Sequence, residues 1–335
     1  MKLSDLTQPF RRPRSDTGQA APSDSQDDLG FGNKVITSGG RLINQDGSFN
    51  IVRRGYQSWA PYQHLVEMSW KRFALMVFIF YILINAIFAF AFMACGRYSL
   101  NGVSPDSSFW EFFADCFFFS IQTFTTVGYG ALSPLGFAAN ALAALDALVG
   151  LMSFALATGL VFARFSKPKA QILFSKHAII SPYRHRETGE QINSLQFRIV
   201  NTRNNKLINL EAKVVMTWLE ALPDGTLARR FANLPLERDR VTLLPLNWTL
   251  VHPIDKTSPM YSLVCDDLTR SHTEILIMLQ GYDDTFAQNV HTNSSYTCHE
   301  IEWGVKFAGM YHAQNGHTVL EIDKLDEIVG LDEEE

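Results

Sequence analysis

Residues 126–130, Thr126-Val127-Gly128-Tyr129-Gly130, place a hydroxyl, two glycines and an unbroken row of peptide carbonyls in five positions. The chemistry open to such a run is the dehydration of a cation. A monovalent cation enters a narrow passage only if other oxygens replace its water shell, and a short extended backbone does so by turning successive carbonyls inward. Gly128 and Gly130 admit the left-handed angles this needs. Thr126 adds a hydroxyl oxygen at one end, while Val127 and Tyr129 point outward and brace the strand against helices. One strand cannot encircle an ion, so several copies must share the axis. Taken alone, the same residues also read as a glycine-rich hairpin turn flanked by Thr and Tyr.

Position separates the two readings. Residues 73–95 run 23 positions without a charge, with Asn85 the one strongly polar member, expected to face another helix. Residues 135–163 form a second apolar stretch whose sole charge is Asp146. Each is long enough to cross a bilayer at about 1.5 Å per residue. Between them, Asp106-Ser107-Ser108 caps a helix expected over 109–124, too short to span and ending at the carbonyl run, where its negative end favours a cation. Ahead of the first span, Ser58 as N-cap and Pro61 open an amphipathic helix expected over 58–70, suited to lying in the membrane interface. An ordinary amphipathic helix on a soluble core is the alternative. Lys71 and Arg72 before the first span, and Arg164, Lys167 and Lys169 after the second, outweigh the lone Arg97 of the intervening loop, which places both termini on the cytoplasmic side.

The remainder is of a different texture. Residues 1–30 are polar and read as a disordered tail without a cleavable signal peptide. Residues 31–57 form an N-terminal segment in which 41–47 reads as a short strand into a turn at Asp46-Gly47. From 170 to 322 short alternating runs separated by turn signals indicate a cytoplasmic β-sandwich of immunoglobulin-like kind, and 323–335 reads as an acidic solvated tail. Missed by none of these patterns are the exclusions. With 29 basic against 34 acidic residues and a net charge of -5, nothing calls for nucleic acid. Cys95, Cys116, Cys265 and Cys298 lack metal or disulfide-framework spacing, although a Cys95–Cys116 bridge is conceivable. No H-E-x-x-H, G-x-S-x-G or P-loop is present, so catalysis is not expected.

With filter, spans and β-rich tail in view, the chain resembles the inward-rectifier potassium channels, and within them the bacterial branch, from about residue 41 to residue 323. Beyond the Thr126–Gly130 run, the resemblance rests on residues 158–165 (TGLVFARF) followed by Lys167-Pro168-Lys169, on 174–180 (FSKHAII), on 252–261 (HPIDKTSPMY), and on Ser295-Tyr296 with 300–304 (EIEWG). It implies a homotetramer in the inner membrane that conducts K+ passively. The ion would sit at Thr126, Val127, Gly128 and Tyr129, with no cofactor. Phe162 falls at the gate of the inner-helix crossing, where an aromatic ring closes a pore by excluding water, and Phe154 at the cavity position. The basic cluster Lys71, Arg72, Arg164, Lys167 and Lys169 corresponds to a site for anionic phospholipids or phosphoinositides. Positive-inside topology alone requires the same residues. Gly150 and Gly159 are candidate hinges, with close helix packing equally open.

Departures from the family pattern matter as well. Gln122 stands where the pore helix usually carries Glu, and Ala131 and Leu132 follow the filter in place of a charged partner, so the ion pair that braces many filters is missing. Support then falls to Gln122, Thr125 and Asp146, the last either a functional intramembrane acid or an uncharged carboxylic acid hydrogen-bonded behind the filter. Phe154 replaces the acid that holds polyamines in strong rectifiers, which implies weak rectification. Asp224, Asp283 and Asp284 are candidates for lining a cation-concentrating vestibule. Two other functions remain compatible: a membrane-anchored ligand-binding sensor or scaffold with a non-conducting pore, and a poorly selective cation channel.

Overall fold

Long charge-free stretches make helices here, and each break has a local cause. The computed structural model describes residues 30–31, 40–52, 54–55, 59–104, 106–167, 171–186, 188–223 and 225–331. These fall into two compact units, residues 55–167 and residues 1–54 together with 168–335. Ser58 and the N-terminal tail through residue 29 lie outside the described residues. Helix α1 (Pro61–Glu67) starts from Ala60 with proline in its first turn, where a missing N–H costs nothing. It is shorter than the expected 58–70. Met68 and Ser69 are extended, and Trp70 opens the next helix instead of closing this one.

Helix α2 (Trp70–Ala94) and helix α4 (Gly136–Phe165) are both long and apolar enough to cross a membrane. Between them helix α3 (Phe109–Phe124) begins at a reciprocal cap, with the Glu111 amide donating to Ser108 Oγ at 3.3 Å and the Ser108 amide to Glu111 Oε2 at 2.7 Å. Such a cap satisfies two donors that the first turn leaves open. Phe88, Ala89 and Phe92 of α2 bury against Phe112, Cys116 and Phe119 of α3, a contact held in lipid by close van der Waals packing. Strands β1 (Leu100–Asn101) and β2 (Ser133–Pro134) pair antiparallel and staple the loops on either side of α3. Cys95 and Cys116 are free thiols, so the conceivable bridge is not formed.

The other unit is a two-sheet β-sandwich. Its strands are β3 (Ile172–Phe174), β4 (Ala178–Arg184), β5 (Gln191–Asn201), β6 (Leu207–Ala221), β7 (Leu227–Asn233), β8 (Arg240–Leu243), β9 (Asn247–Ile254), β10 (Glu274–Asp283), β11 (Gln288–Thr297) and β12 (Ile301–Trp303). One sheet runs β11-β10-β6-β7 with β8 beside β6; the other runs β12-β4-β5-β3 with β9 beside β5. Alternation sends Leu195, Phe197 and Ile199 from β5 against Val214, Met216 and Trp218 from β6 and Ile275, Ile277 and Leu279 from β10. Strand β7 was not expected, because Arg229-Arg230 interrupts its apolar pattern; Arg229 is nevertheless fully buried, 3.8 Å from Glu274.

Three expectations for this unit need correction. The turn at Asp46-Gly47 forms, but the strand leading into it is reduced to a single Ile43–Phe49 bridge. Its backbone is taken by a side chain: Glu274 accepts the Leu42 amide at 2.9 Å and the Ile43 amide at 3.2 Å, while Leu42 and Ile43 cover Val215, Phe231 and Leu276 on the outer face of the sheet. The acidic end is not a free tail through residue 331. Leu325 is buried with Val200 and Met310, Asp326 pairs with Lys176 at 2.8 Å, and residues Ile328–Gly330 pair with Val305–Phe307. Asp283 does not face a vestibule either; it is buried and accepts from Asn205 and the Thr285 amide. Asp224 lies outside the described residues.

Candidate ion pathway

The filter run hangs from the end of α3 by its own backbone. The Gln122 carbonyl accepts the amides of Val127 at 2.9 Å and Gly128 at 3.3 Å, and the Thr126 amide donates to the Thr123 carbonyl at 3.1 Å. Thr125 closes the helix, donating through both its amide and its hydroxyl to the Ile121 carbonyl. The main chain of Gln122 therefore does the anchoring, a role that the identity of its side chain does not reveal. Gly128 (φ 55°) and Gly130 (φ 80°) are left-handed, and so is Thr126 (φ 60°), a conformation disfavoured for a β-branched residue. At the outer end Gly102 lies against the Ala131 carbonyl, where a Cβ would come within 2.4 Å, and the Leu135 amide donates to the Ser99 carbonyl at 2.7 Å. Gly102 was not singled out from sequence, since a loop glycine carries no signal of what approaches it.

Within one chain the filter is unfilled on one side. Val127 is 52% exposed and Tyr129 79% exposed, so neither is braced by this chain's own helices. Phe154 and Phe162 are each 72% exposed on α4. Phe162 lies roughly 160° round the helix from Asp146, which faces the pore helix. Gly150 sits one turn beyond Asp146 on that packed face, where a Cβ would meet the Phe124 carbonyl at 2.1 Å; Gly159 has nothing within 4 Å. Asp146, Asn85 and Ser120 are completely buried, and Ser120 Oγ donates to Asn85 Oδ1 at 3.0 Å. Asn85 thus faces α3.

The basic residues divide by what holds them. The Arg164 guanidinium lies over the rings of Trp70 and Phe73, 4.5 and 4.6 Å from their centroids, and donates to the carbonyls of Leu65, Val66 and Met68. These are the orphan carbonyls at the end of α1, and Arg164 is consumed by its own chain in capping them. Lys167 pairs with Glu67 at 3.0 Å, and that ammonium holds the Glu67 carboxyl below its ordinary value. Lys71 and Arg72 are exposed, and Lys169 lies outside the described residues.

Comparison with known proteins bears on this arrangement. Residues 76–167 match the family described as "Ion channel" and residues 172–334 that described as "Inward rectifier potassium channel C-terminal domain". The inward rectifier potassium channel Kirbac3.1 of Paramagnetospirillum magnetotacticum is 38% identical over 86% of this chain and 95% of its own length. The chain belongs to the inward rectifier potassium channel family. More distant similarity extends to ATP-sensitive inward rectifier potassium channel 14 of Homo sapiens, 27% identical over 80% of this chain and 65% of that one. Inward rectifier potassium channel 4 of Mesocricetus auratus is 29% identical over 61% of this chain and 47% of that one. The protein is thus a two-span membrane channel with a β-rich C-terminal domain, and not an enzyme.

Proposed function

We propose that the channel is a homotetramer in the inner membrane, with both termini cytoplasmic, that selects K+ at the carbonyls of Thr126, Val127, Gly128 and Tyr129. The observation that carries this reading is the filter strand pinned along one edge by the Gln122 carbonyl and open along the other. Burial of Val127 and Tyr129 then falls to neighbouring subunits, which also completes the ring of oxygens around the ion. The exposed Phe162 rings of four α4 helices meet at the crossing and gate by dewetting. Gly159, where an added Cβ would meet nothing within 4 Å beyond its own helix, is the position at which α4 can bend, whereas Gly150 serves contact with α3.

Anionic phospholipids or phosphoinositides bind through Lys71, Arg72 and Lys167, with Lys169 as a further member, each exposed cation contributing about 1 kcal/mol near a charged leaflet. Arg164 holds α1 to the end of α4 and acts on lipid sensitivity through that attachment. Phe154 offers no charge to a polyamine, so rectification is weak. The test is rubidium uptake into liposomes holding the purified channel, with and without barium and phosphoinositide. Barium-sensitive uptake supports conduction; its absence in every lipid favours a non-conducting sensor or scaffold. A poorly selective pore, favoured by the uncharged Gln122, would show as a sodium-to-potassium permeability ratio near one. Steep block by internal spermine would overturn weak rectification.

A further inference from the structure

We propose that Asp146 is the neutral, proton-carrying end of a directional hydrogen-bond relay running Asp146 to Ser120 to Asn85 across α4, α3 and α2, which makes Ser120 and Asn85 positioning residues for the pore helix. The inference deepens the reading of Asp146 as filter support and rests on it. Donors and acceptors set the direction. Asn85 Nδ2 donates to the Tyr81 carbonyl at 2.8 Å, so Oδ1 is the atom turned to Ser120. The opposite amide orientation would set Oδ1 against that carbonyl. Ser120 spends its one proton on Asn85 Oδ1, and only lone pairs remain for its other neighbour, Asp146.

Both Asp146 oxygens are buried without a hydrogen-bond partner. An ionised carboxylate there would face serine lone pairs in a low-dielectric interior, with no cation to offset its desolvation. A carboxylic acid instead supplies the donor that Ser120 lacks after a small side-chain rotation. The basic side chains of this unit are engaged or placed elsewhere: Arg97 donates to Ser107, Arg164 caps α1, Lys167 pairs with Glu67, and Lys71 and Arg72 are exposed at the start of α2. Besides Lys71 and Arg72, the titratable groups on the helices packed against Asp146 are Glu111, Asp115 and Cys116 of α3 and Tyr81 of α2, none of them a cation. One turn from Asp146, Gly150 touches the Phe124 carbonyl, so the relay and this contact together fix the end of α3 from which the filter hangs.

The relay is tested by infrared difference spectroscopy of the full channel in liposomes at neutral pH, together with rubidium uptake. A protonated-carboxyl C=O band should vanish in Asp146→Asn and shift in Ser120→Ala. Asp146→Asn, whose amide can donate to Ser120, should keep uptake within about threefold of wild type, whereas Asp146→Leu should lower it about tenfold or more. Tetramer recovery on size exclusion separates misfolding from loss of positioning, and Asp146→Asn together with Ser120→Ala carries the test if the leucine variant does not assemble. Absence of the band, or a band unmoved by Ser120→Ala, overturns the relay while leaving conduction intact. A wild-type channel that shows the band but no uptake overturns conduction and leaves the relay standing.

Discussion

The two units of this chain spend their apolar residues differently. In the sandwich, Phe197, Ile199, Leu250, Ile275 and Ile277 are covered by their own chain, and even the outer face of the central strands is closed by Leu42 and Ile43. In the helical unit Leu151, Met152, Phe154 and Phe162 along α4 stay exposed, as do Val127 and Tyr129 of the filter. Similar apolarity makes a finished core in one case and an unfinished surface in the other. An apolar sheet face whose alternative is water is covered by what the same chain can bring to it, as Leu42 and Ile43 do here. A membrane helix has lipid and sister subunits as alternatives, so only polar groups and close backbone contacts need to be resolved within the chain. The residues that decide the helical unit are accordingly few.

That contrast can be broken most forcefully at the filter. Gly128→Ala puts a Cβ on a left-handed backbone, which costs about 1–2 kcal/mol per strand and recurs in every subunit. Rubidium uptake should fall to background while tetramers still form; uptake near wild type would show that ions do not pass this strand. In the sandwich the corresponding blow is Glu274→Ala. It strips the Leu42 and Ile43 amides of their acceptor and leaves the buried Arg229 guanidinium without its carboxylate, for a loss of about 3–5 kcal/mol. Thermal denaturation should register that loss, and hydrogen exchange should accelerate at residues 42–43. Unchanged exchange would mean that the carboxylate does not hold the segment.

Smaller effects sharpen the comparison. Gly150→Ala drives a methyl group toward the Phe124 carbonyl and should cost about 1–3 kcal/mol with a matching loss of filter function, whereas Gly159→Ala should leave stability nearly unchanged. Parallel melting curves of the two variants decide whether close packing is confined to the first glycine. The mildest expectation concerns acid. His252 is buried, its Nδ1–H donating to the Pro235 carbonyl at 2.6 Å and its Nε2 accepting from Ser258 Oγ at 2.8 Å. Burial holds it below its ordinary value of 6.5. The unfolded chain therefore takes up the proton first as pH falls, so stability is intact above about 6.5 and declines below it, by up to about 1.4 kcal/mol per pH unit. His252→Gln should flatten that slope in melts between pH 7 and 5; a slope that persists would assign it to other groups.

Legibility followed the same divide. The helical unit could be read almost to the residue where breaks are local, as with the Ser108 cap of α3, because hydrophobic length and capping chemistry act within a few residues. It was misread at α1, where two extended residues at 68–69 end the helix without any proline or glycine to announce it. In the sandwich, β7 escaped because Arg229 reads as a surface residue until Glu274, 45 positions away in the chain, is set beside it. The segment over 41–47 has strand-like alternation, yet a side-chain carboxylate captured its amides before a neighbouring strand could.

What the sequence determined by itself was therefore the set of parts: two spans, a short capped helix, a carbonyl run with glycines at its turns, and a β-rich C-terminal region. Each is written in local spacing and composition, which act before any long-range contact forms. Tertiary structure alone decided that Asp146 lies beside Ser120, that Ser120 meets Asn85, that Gly150 yields space to Phe124, and that Arg164 is enclosed by Trp70 and Phe73. Those contacts join different helices, and a buried polar group can be satisfied only by whichever partner the packing brings within hydrogen-bond reach.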